Sequence, residues 1–128
     1  MKTLTYDLHL HSCLSPCGDN EMTPATIAGM AKIIGLESDC TDRSQFMQNC
    51  PAIQKAANAY GILFLPGMEL TTAEEVHVLC YFPQLNAAMH FDSYVSSHLP
   101  HIPNKPALFG EQRICMKKIR YWGRKIVC

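Results

Sequence analysis

The chain has 128 residues, enough for one modest domain with a core and too few for two. Hydrophobic residues make up 48% and charged residues 17%, a composition that excludes intrinsic disorder. Lys plus Arg is 11 and Asp plus Glu is 11, a balance that argues against a duplex nucleic-acid binder, and no apolar run approaches the roughly 18 residues a membrane span needs.

Residues 4–10 alternate, with Leu4, Tyr6, Leu8 and Leu10 on one face and Asp7 and His9 on the other, which predicts a strand. Pro16, Gly18, Asp19 and Asn20 make the next segment a loop. Thr23 as N-cap, Pro24 at the first helical position and Gly35 as terminator then predict a helix packing through Ile27, Met30, Ala31 and Ile34. A second strand is expected after Gly35, but residues 36–49 do not alternate, and only Leu36, Phe46 and Met47 are strongly apolar. The expected core strand is missing from the text, which predicts a chain short of core packing.

Pattern resumes with a helix opened by Pro51 and closed by Gly61, packing through Ile53, Ala56, Ala57 and Tyr60. Ile62, Leu63, Phe64 and Leu65 form an unbroken apolar run, as in a strand covered on both faces, and Pro66-Gly67 ends it. Val76, Val78 and Cys80 alternate with His77, Leu79 and Tyr81 in a further short strand. Residues 84–97 read as a helix, residues 99–106 with three prolines as an irregular stretch, and residues 111–125 as a basic amphipathic helix. Residues 113–125 hold six of the 11 basic residues and no acidic one, so the chain divides into residues 1–112 and an atypical basic tail, 113–128. Strand–helix units with apolar central strands predict an α/β fold with a mostly parallel sheet, whose ligands gather at the carboxyl ends of the strands. Seven cysteines, an odd number with no secretory signal before them, fit a reducing cytoplasm better than a disulfide framework.

The candidate ligands sit at those strand ends. His9 and His11, two apart on a strand, point the same way and offer an incipient chelate for zinc, iron or manganese; the alternative is a solvated strand end. Asp19 is a candidate carboxylate ligand, against ordinary turn chemistry. Asp7 is a candidate partner for a ligand imidazole. Glu69 follows a buried strand, where a carboxylate is costly unless paired or metal-bound, and two metals close together need a bridging carboxylate; the alternative is a strand-end Glu facing water. His77 lies opposite Val76 and Val78 by parity and either joins the cluster or is a satisfied core or surface histidine. His90, His98 and His101 rank below these. Cys13 and Cys17 do not have the spacing of a zinc-binding cysteine pair.

The stretches DLHLHSCLSP and GMELTTAEEVHVLCYF together resemble the PHP family of metal-dependent phosphoesterases, named for polymerase-associated and histidinol-phosphatase domains. Its HxH pair matches His9 and His11, its loop acid Asp19, its GxE carboxylate Glu69 and its following histidine His77, over residues 6–82. The resemblance implies a distorted (β/α)7 TIM-like barrel, present here as an incomplete N-terminal part. It also implies two or three divalent ions (manganese, zinc or iron) and water-driven hydrolysis of a phosphate ester. The neutral charge allows a small phosphorylated substrate and speaks against extensive nucleic-acid binding, and the lack of a long apolar run speaks against a membrane.

Two departures qualify it. The family's second strand ends in Thr-Asp-His, whereas Thr41-Asp42 is followed here by Arg43. One coding string for residues 37–48, read a nucleotide later, yields Asn-Pro-Ile-Ala-Leu-Thr-Asp-His-Asn-Ser-Cys, so a displaced reading frame is expected there; ordinary divergence is the alternative. The family's later ligands have no counterpart, and the basic tail reads as a second displacement. An inactive fragment, or a metal-binding module holding perhaps one ion without catalysis, is therefore the alternative function.

Overall fold

The computed structural model describes residues 3–41, 46–100 and 102–115, with backbone alone at 39–41. Its elements are β1 (Tyr6–Asp7), α1 (Pro24–Ile33), β2 (Ser38–Thr41), α2 (Cys50–Tyr60), β3 (Leu63–Thr71), β4 (His77–Tyr81), α3 (Leu85–His98) and α4 (Pro106–Phe109). The sheet runs in the order β1-β2-β3-β4. The first three strands are parallel, and β4 returns antiparallel on β3.

Caps set the first two helices. The Thr23 hydroxyl accepts the Thr26 N–H at 3.2 Å, and Pro24 loses no bond in the first turn. At the other end Gly35 takes φ 80°, its N–H reaches Lys32 O and the Leu36 N–H reaches Ala31 O at 2.9 Å, the paired bonds of a Schellman ending. The buried stripe of α1 is Pro24, Ile27, Ala28 and Ala31, so Met30 and Ile34, expected in the core, are exposed. In α2, Cys50, Ile53 and Ala57 are buried, Gly61 closes the helix at φ 70°, and Tyr60 faces out.

The strands differ more from the expectation. The β1 ladder spans two residues, so His9 and His11 lie beyond it in irregular chain. The strand missing from the side-chain pattern is nonetheless present: β2 pairs with β1 on one side and β3 on the other. A central strand is held by two ladders of backbone hydrogen bonds, and these form whatever its side chains are. β3 does not stop at Pro66-Gly67. Its pairing with β2 ends at Thr41↔Pro66 and its pairing with β4 begins at Gly67↔Tyr81, so the N–H that proline lacks falls where the strand changes partner.

Helices α1, α2 and α3 share one core with β3, built from Ile27, Ala31, Ile53, Ala57, Phe64 and Met68, with Met47, Ala88 and Val95 closing it. The Asp92 carboxylate accepts the Met47 N–H at 2.8 Å and ties α3 to the segment after β2. Residues 111–115 are irregular rather than helical; the rest of the basic tail, and Arg43, lie outside the described residues. Among the described residues no helix is long and apolar enough to cross a membrane.

Candidate metal centre

The parallel ladders end at Asp7 in β1 and at Pro66 in β3. His9, His11 and Glu69 all come after those points, on the carboxyl side of the parallel strands. Each offers one ligand atom within 4.8 Å of the other two, and among the described residues these three alone form such a group. The two imidazole rings lie 5.4 Å apart, tilted by 45°.

Glu69 is the hinge of the arrangement. One carboxylate oxygen lies 3.7 Å from His11 Nε2, and the other lies 2.9 Å from His77 Nδ1. The register explains the second contact. His77 pairs with Thr71, two residues from Glu69 on the same face of the hairpin. Glu69 is 16% exposed and His77 62%, so the carboxylate is largely withdrawn from water while the imidazole stays in it. A carboxylate so placed is stabilised by the polar groups flanking it.

Neighbours that sequence reasoning passed over hold the histidines. The buried Ser15 hydroxyl meets His11 Nδ1 at 2.9 Å, which occupies one ring nitrogen and turns Nε2 toward Glu69. The Tyr81 hydroxyl donates to Leu8 O at 3.1 Å, joining the end of β4 to the segment that carries His9. The turn after His11 is folded tightly: Ser15 N–H reaches Ser12 O at 2.9 Å and Gly18 N–H reaches Ser15 O at 3.0 Å. A Cβ at Gly18 would stand 2.1 Å from Ser12 O, so only glycine fits.

The other candidates stand apart. Asp19 Oδ1 accepts the Glu21 N–H at 2.7 Å, a local turn bond, and its carboxylate is outside the three-residue group. Asp7 Oδ1 accepts the backbone N–H of His9 at 2.8 Å and so fixes that residue's main chain. His77 reaches the group through Glu69. His98 Nδ1 lies 2.8 Å from Tyr94 O within α3, and His90 is exposed on the same helix.

Asn49 is buried between the histidine turn and the C-terminal segment. Its Nδ2 donates to Ser12 Oγ at 3.1 Å and to Arg113 O at 3.0 Å, and its Oδ1 accepts the Cys115 N–H at 2.7 Å. The main signal for it in the sequence is its place just before Cys50-Pro51, where a helix begins. Long-range partners leave no trace in local pattern.

Two imidazoles and one carboxylate are a donor set that suits zinc, iron or manganese. The fold is a mixed α/β arrangement with this group beyond its parallel strands. No family model matches the chain, and no curated protein matches it. Among solved structures it is similar to a crystal structure from Bifidobacterium adolescentis, described provisionally as a metal-dependent phosphoesterase, with a TM-score of 0.55 and 20% identity. The match covers 73% of this chain and 33% of that one, so the chain spans about a third of that protein's length. The likeness is one of fold.

Proposed function

We propose that this chain is the N-terminal, metal-holding part of a PHP-type phosphoesterase, built on part of a distorted β/α barrel and serving a small phosphate ester. The observation that carries the reading is the meeting of His9, His11 and Glu69, from two separate parts of the chain, beyond the ends of parallel strands. The partial fold likeness supports it.

In this reading His9 and His11 hold a divalent ion through ring nitrogens and Glu69 through a carboxylate oxygen. A cation held there supplies Lewis acidity toward phosphate oxygens and makes water more acidic. Ser15 keeps His11 turned so that Nε2 is the ligating atom. His77, held to Glu69 through Nδ1, belongs to the ligand set on the resemblance, not as a member of the three-residue group. Asp19 belongs to the ligand set on the resemblance alone.

A narrower reading rests on the count of donors. The three residues grouped among the described ones suffice for one ion, whereas in-line phosphoryl hydrolysis gains most from two metals about 3.5–4 Å apart. Residues 1–128 alone therefore act as a one-ion metal-binding module with negligible hydrolysis. Elemental analysis after dialysis against manganese or zinc, beside hydrolysis of a chromogenic phosphate monoester and diester, tests both readings. The expected result is one ion per chain, lost in Glu69→Gln and in His9→Ala/His11→Ala. Equal metal uptake by wild type and these variants removes both readings. Fast hydrolysis by the 128-residue chain removes the narrower one.

A further inference from the structure

Five described cysteines are unbridged, and two of them touch. Cys13 Sγ and Cys115 Sγ lie 3.7 Å apart although the residues are 102 positions apart in sequence. We propose that this pair is a redox modification site, closing to a disulfide when a peroxide is the oxidant and reopening with a thiol.

The contact is built by the main chain. The Arg113 N–H donates to Cys13 O at 2.9 Å. Asn49, itself fully buried, holds the Cys115 N–H on Oδ1 at 2.7 Å and Arg113 O on Nδ2 at 3.0 Å. Both backbones are thus fixed on either side of the sulfurs. Bond formation needs the sulfurs to approach from 3.7 Å to about 2.05 Å.

The exposures set the order of steps. Cys13 is 1% exposed and Cys115 is only partly covered, so Cys115 meets the oxidant first. The Cys115 thiol gives up its proton and its sulfur attacks one peroxide oxygen, the O–O bond breaks, Cys115 becomes a sulfenic acid, and the departing hydroxide takes that proton as water. Cys13 Sγ then attacks Cys115 Sγ. The S–S bond forms, the S–O bond breaks, and the departing hydroxide takes the Cys13 proton as a second water. The two sulfurs have given up two electrons to the peroxide. Dithiothreitol reverses the link by thiol–disulfide exchange. The closed form clamps the turn after His11 to the C-terminal segment, whatever the metal centre does.

The test is peptide mapping without reduction, after the folded 128-residue protein has met hydrogen peroxide and an alkylating quench. The expected product is a Cys13–Cys115 peptide pair, lighter by two hydrogens, reversed by dithiothreitol and several-fold richer than in protein oxidised in urea, where the seven cysteines pair without a template. Cys17→Ser should leave the link intact, and Asn49→Ala should reduce it. No enrichment over the urea sample, or loss of the link in Cys17→Ser, overturns the proposal.

Discussion

Replacing Asn49 with alanine removes a side chain that bonds the histidine turn and the C-terminal segment at once. Its amide donates to Ser12 Oγ at 3.1 Å and Arg113 O at 3.0 Å, and its carbonyl accepts Cys115 N–H at 2.7 Å. Each hydrogen bond contributes about 1 kcal/mol net, and a buried partner left unpaired costs about 1–3 kcal/mol. Ser12 is fully buried but keeps the Leu14 N–H on its hydroxyl at 3.3 Å, so its loss is softened. Arg113 and Cys115 are only half-buried, and water can reach them. The sum comes to about 3 kcal/mol, roughly two powers of ten in the folding equilibrium. Urea titration followed by circular dichroism reads it directly. With a slope of about 1.5 kcal/mol per molar, the midpoint falls by about 2 M at constant slope. Hydrogen exchange at residues 111–115 rises in parallel. A midpoint shift below about 0.3 M would refute the reasoning, because the three bonds would then contribute nothing net to the folded state.

Three further outcomes follow from the same geometry. Gly18→Ala drives a methyl into Ser12 O and displaces the turn after His11; stability should fall by about 2–3 kcal/mol, with weaker metal uptake, both measured on the purified variant. Ser15→Ala frees His11 to rotate and should weaken zinc or manganese binding by about tenfold in calorimetry, while changing the urea midpoint far less than Asn49→Ala does. Glu75 sits at φ 62° in the turn between β3 and β4, so Glu75→Gly should relieve left-handed strain and raise stability by about 0.5–1 kcal/mol in thermal melts.

What could be read in the sequence was local chemistry. Thr23-Pro24 and Gly35 bound α1, Pro51 and Gly61 bound α2, and both pairs act through neighbouring backbone groups. Glu69 lies in a strand, whereas His9 and His11 lie past the end of β1 and reach it from irregular chain. What could not be read depends on partners distant in sequence. β2 is a strand because β1 and β3 pair with it, although its four residues, Ser38–Thr41, carry no apolar alternation. β3 continues past Pro66 because a second partner waits on the far side. Asp19 could serve a turn or an ion by sequence, and its bond to the Glu21 N–H is a turn bond. Ser15 and Tyr81 support the histidine segment through contacts that no periodicity marks.

The bond from Arg113 N–H to Cys13 O, with Asn49 beneath it, has a temporal consequence. Synthesis proceeds from the amino end, and the histidines emerge early. The strap that fastens their turn is made about a hundred residues later. A growing polypeptide on the ribosome therefore displays that histidine turn unfastened, its Cys13 thiol uncovered, until residue 115 arrives to secure it.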